Sequence, residues 1–201
     1  ASGEGDNYKA GHVTGGKGTR SSNNVIAGGG VFVEQGGTLN MKGGIISSNT
    51  ATWGSGIGNW GTVNMSGGQV ANNNGLPRSS GGSTGGGVFN CSTFTMRGDA
   101  AIVGNTATHD AGGVFNSGYF FMEGGKINNN ISQGGDGGGV SIYGDYNVDG
   151  TYRAIFTMTG GEIADNVAEK GRGGGISIES GNFIMKDGTI ICNRAETSNG
   201  I

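Results

Sequence analysis

The chain has 201 residues, a formal net charge of −3 and 13% charged residues, with no basic cluster that would attract nucleic acid or an anionic membrane. Its 48 glycines and 1 proline follow no three-residue period, which excludes collagen. No apolar run approaches the roughly 20 residues of a membrane-spanning helix, so we expect no direct membrane insertion.

The N-terminal segment, residues 1–27, is polar and holds only a degraded copy of the pattern that follows. It is predicted to form either a cap or a weak first coil, since repeat arrays need covered ends. Residues 28–201 form one repeat domain with a basal period of about 26 residues and insertions near residues 75–84 and 144–153. The copies begin near Val31, Ile57, Val88, Val114, Val140 and Ile176.

Each copy reads as a short strand, a turn and a second strand that ends in Met. In the fourth copy Phe120 and Met122 face one side, while Tyr119 and Phe121 face the other, which is the period of a strand. No useful length has helical periodicity, and glycine-rich turns recur about every 8–10 residues, so the chain is predicted to be all-β. The Met column is Met41, Met65, Met96, Met122, Met158 and Met185.

These features predict a right-handed single-stranded parallel β-helix of about six coils, because each coil shields the apolar columns of its neighbours. Three short strands are expected in each coil. The six-residue repeat that is typical of left-handed β-helices is absent. The apolar residue two positions before each Met and the Met itself are predicted to stack in the core.

An asparagine closes each copy, eight or nine residues after the Met. We interpret this column as a structural ladder at a turn, where stacked amides hydrogen-bond from coil to coil and Asn tolerates left-handed backbone geometry. The alternative is a column that faces a ligand. The ladder residues are Asn49, Asn73, Asn105, Asn130, Asn166 and Asn193, and a second, shorter structural column is Asn59, Asn90 and Asn116.

Cys91 and Cys192 lie in copies that are three coils apart, which exceeds disulfide reach at about 4.8 Å per coil. Both are interpreted as small apolar structural residues.

The insertion in the fifth copy has the most unusual chemistry. Asp145, Asn147 and Asp149 are followed by Gly150, as in the first half of a calcium loop, and Asp136 is a candidate for the missing ligand. An ordinary polar hairpin is the competing interpretation. A glycan site is the third, formed by Tyr143, Tyr146, Tyr152 and Arg153.

Two further sets of residues are candidates for function. Phe32, Phe89 and Phe115, with Trp53 and Trp60 in the intervening coil, form either an outward partner surface or an inward packing column. Glu123 and Glu162 occupy nearby positions in adjacent copies, where two carboxyls could meet glycosidase spacing. His12 and His109 have no nucleophile partner at motif spacing, so no catalytic residues are assigned.

The element Gly-Gly-x-Ile/Val-x-x-Asn occurs at residues 43–49, 67–73, 124–130 and 160–166, while Asp99 and Asp187 disturb it in the third and sixth copies. It resembles the repeats of polymorphic outer-membrane proteins and the adhesin-like β-helix repeats of bacterial surface proteins such as autotransporter passengers. This resemblance covers roughly residues 28–195. It implies secretion or display at the cell surface and an adhesive role.

We therefore expect an extracellular bacterial surface protein that binds a host or environmental glycan or protein, with calcium as the only suggested cofactor. Its last copy has no obvious cap, so it is expected to be part of a longer chain. One alternative is a polysaccharide lyase or glycoside hydrolase fragment, because pectate-lyase-like enzymes share the fold class. Another is a purely structural stalk spacer.

Overall fold

The chain folds as a parallel β-solenoid of about six coils in a computed structural model that describes residues 12–14, 16, 27–77, 82–144 and 154–196. Adjacent coils pair in parallel and in register along each sheet. Within these residues there is no helix, and hence none that is long and apolar enough to span a membrane. The predicted all-β parallel solenoid is confirmed.

The strands follow one another in the same order in each coil. An initial strand is β1 (His12–Thr14). The first coil contains β2 (Val31–Val33), β3 (Thr38–Met41), β4 (Ile45–Ser47) and β5 (Thr50–Ala51). The second contains β6 (Ile57–Asn59), β7 (Thr62–Met65), β8 (Gln69–Ala71) and β9 (Asn74–Gly75). The third contains β10 (Val88–Asn90), β11 (Thr93–Met96), β12 (Ala101–Val103) and β13 (Thr106–Ala107).

The upper coils depart from this plan, because two strand positions merge into one long strand in each of the last two coils. The fourth coil contains β14 (Val114–Asn116), β15 (Tyr119–Met122), β16 (Lys126–Asn128) and β17 (Ile131–Ser132). The fifth contains β18 (Val140–Tyr143), β19 (Ile155–Ala164) and β20 (Val167–Ala168). The sixth contains β21 (Ile176–Ser180), β22 (Asn182–Ile191) and β23 (Arg194–Ala195).

Three sheets run along the solenoid. The first sheet has the order β2-β6-β10-β14-β18-β21, and the third has the order β23-β20-β17-β13-β9-β5. The large sheet between them holds two strand columns that join at β19. The first four coils therefore carry four strand segments each, one more than the sequence predicts, because a two-residue strand follows each ladder asparagine.

The strand β1 adds to the lower end of the solenoid. Its residues pair in parallel with Ile45–Ser47 of β4. The backbone N–H of Gly16 then donates to Oδ1 of Asn49 at 2.8 Å, so Gly16 occupies the ladder position. These contacts favour the weak-coil interpretation for this part of residues 1–27.

The core contains the predicted apolar columns. Phe94, Phe120 and Phe156 are fully buried in successive coils, where Phe94 meets Phe120 edge-on and Phe120 stacks on Phe156. Met96, Met122 and Met158 form a parallel buried column two residues further along their strands. Tyr119 and Phe121 are exposed at 44% and 36%, as the period-two alternation predicts. Met185 belongs to the same column as the buried methionines but is 45% exposed, because the described residues place no coil above it.

The asparagine ladder is confirmed. The backbone N–H and the side-chain amide of each ladder asparagine both donate to Oδ1 of the asparagine in the next coil, at 2.9–3.0 Å, from Asn49 through to Asn193. The five lower members, Asn49 to Asn166, are at most 1% exposed, which leaves no room for a ligand-facing role.

One detail of the ladder prediction is wrong. Left-handed geometry belongs to the residue before each asparagine, and the asparagine itself is not among the positive-φ residues. The left-handed residue turns the backbone so that the side-chain amide of the following asparagine points into the interior. There it meets the asparagine of the next coil. The left-handed residues are Ser48, Asn72, Gly104, Asn129, Asp165 and Cys192, with φ between 52° and 64°.

The second column is also structural. The side-chain amide of Asn59 donates to Oδ1 of Asn90, and that of Asn90 donates to Oδ1 of Asn116, each at 2.8 Å. All three side chains are fully buried.

The two cysteines differ from each other. Both are free, and Cys91 is half-buried beside Phe89. Burial raises the pKa of the Cys91 thiol to about 11. Cys192 is exposed in a left-handed turn of the last coil, so its interpretation as a packed apolar residue is wrong.

A candidate ligand-binding face on the first sheet

The aromatic column of the sequence lies on the outer surface of the first sheet. In β10, Val88 and Asn90 face the core, whereas Phe89 belongs to a second hydrophobic cluster outside it. Register aligns Phe89 with Phe115 in the next coil. The outward position is therefore confirmed, although Phe89 and Phe115 are only 7% and 9% exposed because neighbouring rings cover them.

The rings form a continuous row along the solenoid axis, which we call the aromatic stripe. It consists of Phe32, Trp53, Trp60, Phe89, Phe115 and Tyr143. Centroids of neighbouring rings are 5.0–5.3 Å apart from Phe32 to Phe115, except for the two Trp rings, which are 6.4 Å apart; the distance between Phe115 and Tyr143 is 6.3 Å. Phe89 and Phe115 are stacked with an interplanar angle of 3°.

A glycine makes room for the stripe in the second coil. Gly58 aligns with Phe32 below and with Phe89 above, so it occupies an aromatic position without a side chain. The ring of Trp60 fills this space, since a Cβ at Gly58 would lie 3.2 Å from its Cζ3 atom. Trp53 and Trp60 are each partly buried, and Phe32 is 49% exposed, so ring surface remains open to solvent.

Trp53 is presented by the turn that leads into the first sheet. In each coil this turn contains one residue in the left-handed region, with φ between 57° and 68°. The residue is glycine in every coil except the fourth, where it is Ala111. The residues directly before it line up from coil to coil as Ala27, Trp53, Thr84, Asp110, Asp136 and Arg172.

The upper part of this turn column opens into a cavity of about 440 Å³, which we call the polar groove. Its charged and polar lining comes from three successive turns and from β21. The lining residues are His109, Asp110, Gly135, Asp136, Lys170, Gly171, Arg172 and Glu179.

The two aspartates of the groove accept hydrogen bonds from backbone N–H groups. Oδ1 of Asp110 accepts the N–H of Asp136 at 2.8 Å, and Oδ1 of Asp136 accepts the N–H of Arg172 at 2.7 Å. The second oxygen of Asp110 contacts Nδ1 of His109 at 2.8 Å. These bonds join three turns and favour a structural role over acid–base chemistry for both carboxylates.

The other charges of the groove are unpaired. Within the described part of the chain, the side chains of Lys170, Arg172 and Glu179 make no ion pair and no hydrogen bond, and all three are exposed. The groove therefore offers two free cationic groups and one free carboxylate.

A buried hydroxyl lies between the stripe and the groove. Thr84 pairs with Trp53 in an isolated parallel bridge, and its carbonyl accepts the N–H of Gly54 at 3.1 Å. Its Oγ1 is buried and has no hydrogen-bond partner, the only such side-chain atom among the described residues.

Both insertions border this face. The first begins after β9 and returns at β10, and Ser83 near its end donates its N–H to Oγ1 of Thr108 at 2.8 Å. The second begins after Tyr143 at the end of β18, where the N–H of Gly144 donates to the hydroxyl of Ser180 at 3.1 Å. The first insertion thus leads into a strand of the first sheet, and the second begins where a strand of that sheet ends.

The structure describes only one of the candidate residues in and beside the fifth-copy insertion. Tyr143 is described, is 44% exposed and extends the aromatic stripe. Tyr146, Tyr152 and Arg153 lie outside the described residues, as do the calcium candidates Asp145, Asn147 and Asp149. The described residues contain no group of three potential metal ligands.

Glu123 and Glu162 are not aligned with each other in adjacent coils. Register places Glu162 opposite Lys126, and Oε1 of Glu162 lies 3.6 Å from Nζ of Lys126. Glu123 directly follows Met122, which is paired with Met158, four residues before Glu162.

Sequence reasoning missed the polar groove. Its residues belong to no motif, and all of them except Glu179 lie in the turns before the first sheet. The available signal was the residue before the left-handed position of each turn, which is charged in the fourth, fifth and sixth coils.

No protein-family profile, curated protein or solved structure matches this chain. The class that the fold defines is a parallel β-solenoid with asparagine ladders.

Proposed function

We propose that this protein binds glycans through the outer face of the first sheet, as an adhesin-like solenoid displayed outside the bacterial cell. The aromatic stripe is the observation that carries the proposal. Four partly open rings, those of Phe32, Trp53, Trp60 and Tyr143, lie in a row with the buried rings of Phe89 and Phe115, beside a groove of hydrogen-bonding groups. Aromatic faces pack against the apolar faces of sugar rings, and polar side chains bind the hydroxyls.

The rigidity of the face supports this proposal. Ladder hydrogen bonds and parallel sheets hold the stripe in place, so little order has to be gained when a ligand binds. Both insertions border the same face, and loops on a rigid scaffold often carry binding residues.

Surface display and adhesion rest on the resemblance of the Gly-Gly-x-Ile/Val-x-x-Asn repeats. A protein ligand is a further possibility for the same face, and a stalk that only spaces other domains would have no ligand. A glycan that binds and is then cleaved would instead support the lyase or hydrolase alternative, and product analysis detects this directly.

A glycan array followed by calorimetry tests the proposal. We expect Trp60→Ala to weaken binding by tenfold or more, since stacked aromatic residues dominate such interfaces. Phe121→Ala is the matched control, because Phe121 is an exposed ring on the large sheet. Equal loss in both variants, or no binding by the unchanged protein to any glycan, would contradict the proposal.

The fifth-copy insertion adds a separate proposal about calcium. If Asp145, Asn147 and Asp149 hold calcium, glycan binding falls in chelator and calorimetry shows heat on calcium addition. Asp145→Ala would remove both effects, whereas Tyr146→Ala would weaken glycan binding alone. Absence of heat with calcium rejects the metal site and leaves the aromatic stripe to be judged by Trp60→Ala.

A further inference from the structure

Resting on the proposed glycan-binding face, we infer that the polar groove is a subsite for a sugar that carries a carboxylate. The ligand class is then an acidic oligosaccharide whose other rings lie on the aromatic stripe.

The distribution of free charges argues for an anionic group. Of the five acidic and basic side chains in the groove other than His109, Asp110 and Asp136 already accept backbone hydrogen bonds from the next turn. The remaining charges are those of Lys170, Arg172 and Glu179, so cations exceed carboxylates among the groups that are free to bind.

The chemistry of the two cations fits a carboxylate. A guanidinium presents a planar fork that matches both oxygens of a carboxylate, and an ammonium adds a third charged donor. Lys170 and Arg172 stand two residues apart in the turn between β20 and β21 and line the same cavity. Glu179 on β21 remains to accept hydrogen bonds from neighbouring sugar hydroxyls.

The groove continues the stripe along the axis. Trp53 and Asp110 occupy the same place in their turns, and Thr84 lies in the coil between them. Tyr143, at the upper end of the stripe, belongs to the coil below the one that carries Glu179. Because coils rise by about 4.8 Å, a ligand that contacts both regions must extend over several coils, which requires an oligosaccharide.

The test uses hexasaccharides of β-1,4-glucan and β-1,4-mannan, each as the neutral chain and as the form oxidised to a carboxylate at C6. We expect the oxidised form to bind about tenfold more tightly at low salt, which is about 1.4 kcal/mol, and to lose this advantage as ionic strength rises. Arg172→Gln and Lys170→Gln should each remove most of the preference for the oxidised form, measured as the ratio of the two dissociation constants.

Matched controls are available elsewhere on the chain. Arg97→Gln and Lys42→Gln alter exposed cations that do not line the groove, and both should retain the preference. A neutral chain that binds as tightly as its oxidised form overturns the carboxylate subsite but leaves the glycan-binding face standing. Loss of preference in the control variants also overturns it, because the effect would then be one of overall charge. If no form binds, the proposed function fails and the subsite fails with it.

Discussion

The asparagine ladder and the outer face of the first sheet are built from the same coils but follow opposite rules. The ladder position holds asparagine in all six coils, from Asn49 to Asn193. The outward position of the first sheet holds Phe32, Gly58, Phe89, Phe115, Ser141 and Ser177 in turn. Uniform positions maintain the solenoid, whereas varied positions distinguish one coil from another.

The difference has a physical cause. Each ladder amide must match both the coil below and the coil above, so a change in one coil leaves buried donors unpaired in another. An outward residue contacts solvent and its neighbours on one surface only. Variation there is tolerated, and a binding site for an irregular ligand requires it.

Breaking the ladder in its middle should have the largest effect. Oδ1 of Asn105 accepts both the N–H and the side-chain amide of Asn73, and its own amide donates to the carbonyl of Val70. Asn105→Ala is expected to lower the free energy of unfolding by about 3–5 kcal/mol, because several buried polar groups lose their partners. Denaturant unfolding followed by circular dichroism measures this loss.

The matched change at the upper end is Asn193→Ala. Asn193 is only partly buried, so water can replace the bonds that it provides to Asn166. We expect Asn193→Ala to lower the free energy of unfolding by about 1 kcal/mol. Similar losses at Asn105 and Asn193 would mean that burial does not set the strength of the ladder.

Substitutions in the turns before the first sheet should lower the free energy of unfolding less than Asn105→Ala does. Gly85 has φ +64°, and an added Cβ would collide with the carbonyl oxygen of Val88. Gly85→Ala should therefore cost about 1–3 kcal/mol. Ala111 has the equivalent geometry at φ 57° and is fully buried. Ala111→Gly removes the strain of a left-handed alanine but also removes a packed methyl group. The two effects oppose each other, so the free energy of unfolding should change by no more than about 1 kcal/mol. Thermal unfolding of both variants compares the two, and a large loss for Ala111→Gly would show that packing dominates this turn.

Thiol labelling compares the two regions without any substitution, because Cys91 lies in the aromatic cluster and Cys192 lies in the ladder turn of the last coil. Burial raises the pKa of Cys91 to about 11, so little thiolate exists at pH 8, whereas Cys192 is exposed. Cys192 should react first, and the rate at Cys91 should rise about tenfold for each pH unit until the pH approaches its pKa. Since the folded pKa lies above the ordinary thiol value of 9.0, the stability contributed by the neutral thiol is complete below pH 9 and declines as pH rises toward 11. Rapid labelling of Cys91 at pH 8 would contradict its burial in this cluster.

The scaffold was predictable because its residues repeat. Periodicity alone places Phe120 and Met122 in the core, and the recurrence of asparagine identifies the ladder. The left-handed residue before each asparagine was not recognised, since Ser48, Asn72 and Asp165 share no side-chain type.

The candidate face was less predictable because its residues do not repeat. The sequence indicated aromatic residues at related positions, but outward and inward arrangements have the same spacing. The polar groove brings together Asp110, Asp136 and Arg172 from three turns, and only the stacking of coils makes them neighbours. Tyr143 is the only predicted glycan residue within the described part of the chain, and it belongs to the stripe.

The hydrogen bonds that end on Oδ1 of a ladder asparagine all run in one direction. Every Oδ1 accepts from the coil on its N-terminal side, from Gly16 to Asn193. From Asn73 to Asn193, each side-chain amide also donates to a backbone carbonyl of the preceding coil. The aligned amides therefore form a polar filament whose two ends are chemically different, and they polarise one another along its length. Gain or loss of one whole coil preserves this polarity, because each coil accepts the same hydrogen bonds from the coil before it and donates the same hydrogen bonds to the coil after it. The solenoid can thus change length by whole coils without any change in its hydrogen-bond pattern. A coil added in reverse orientation would find no hydrogen-bond partner.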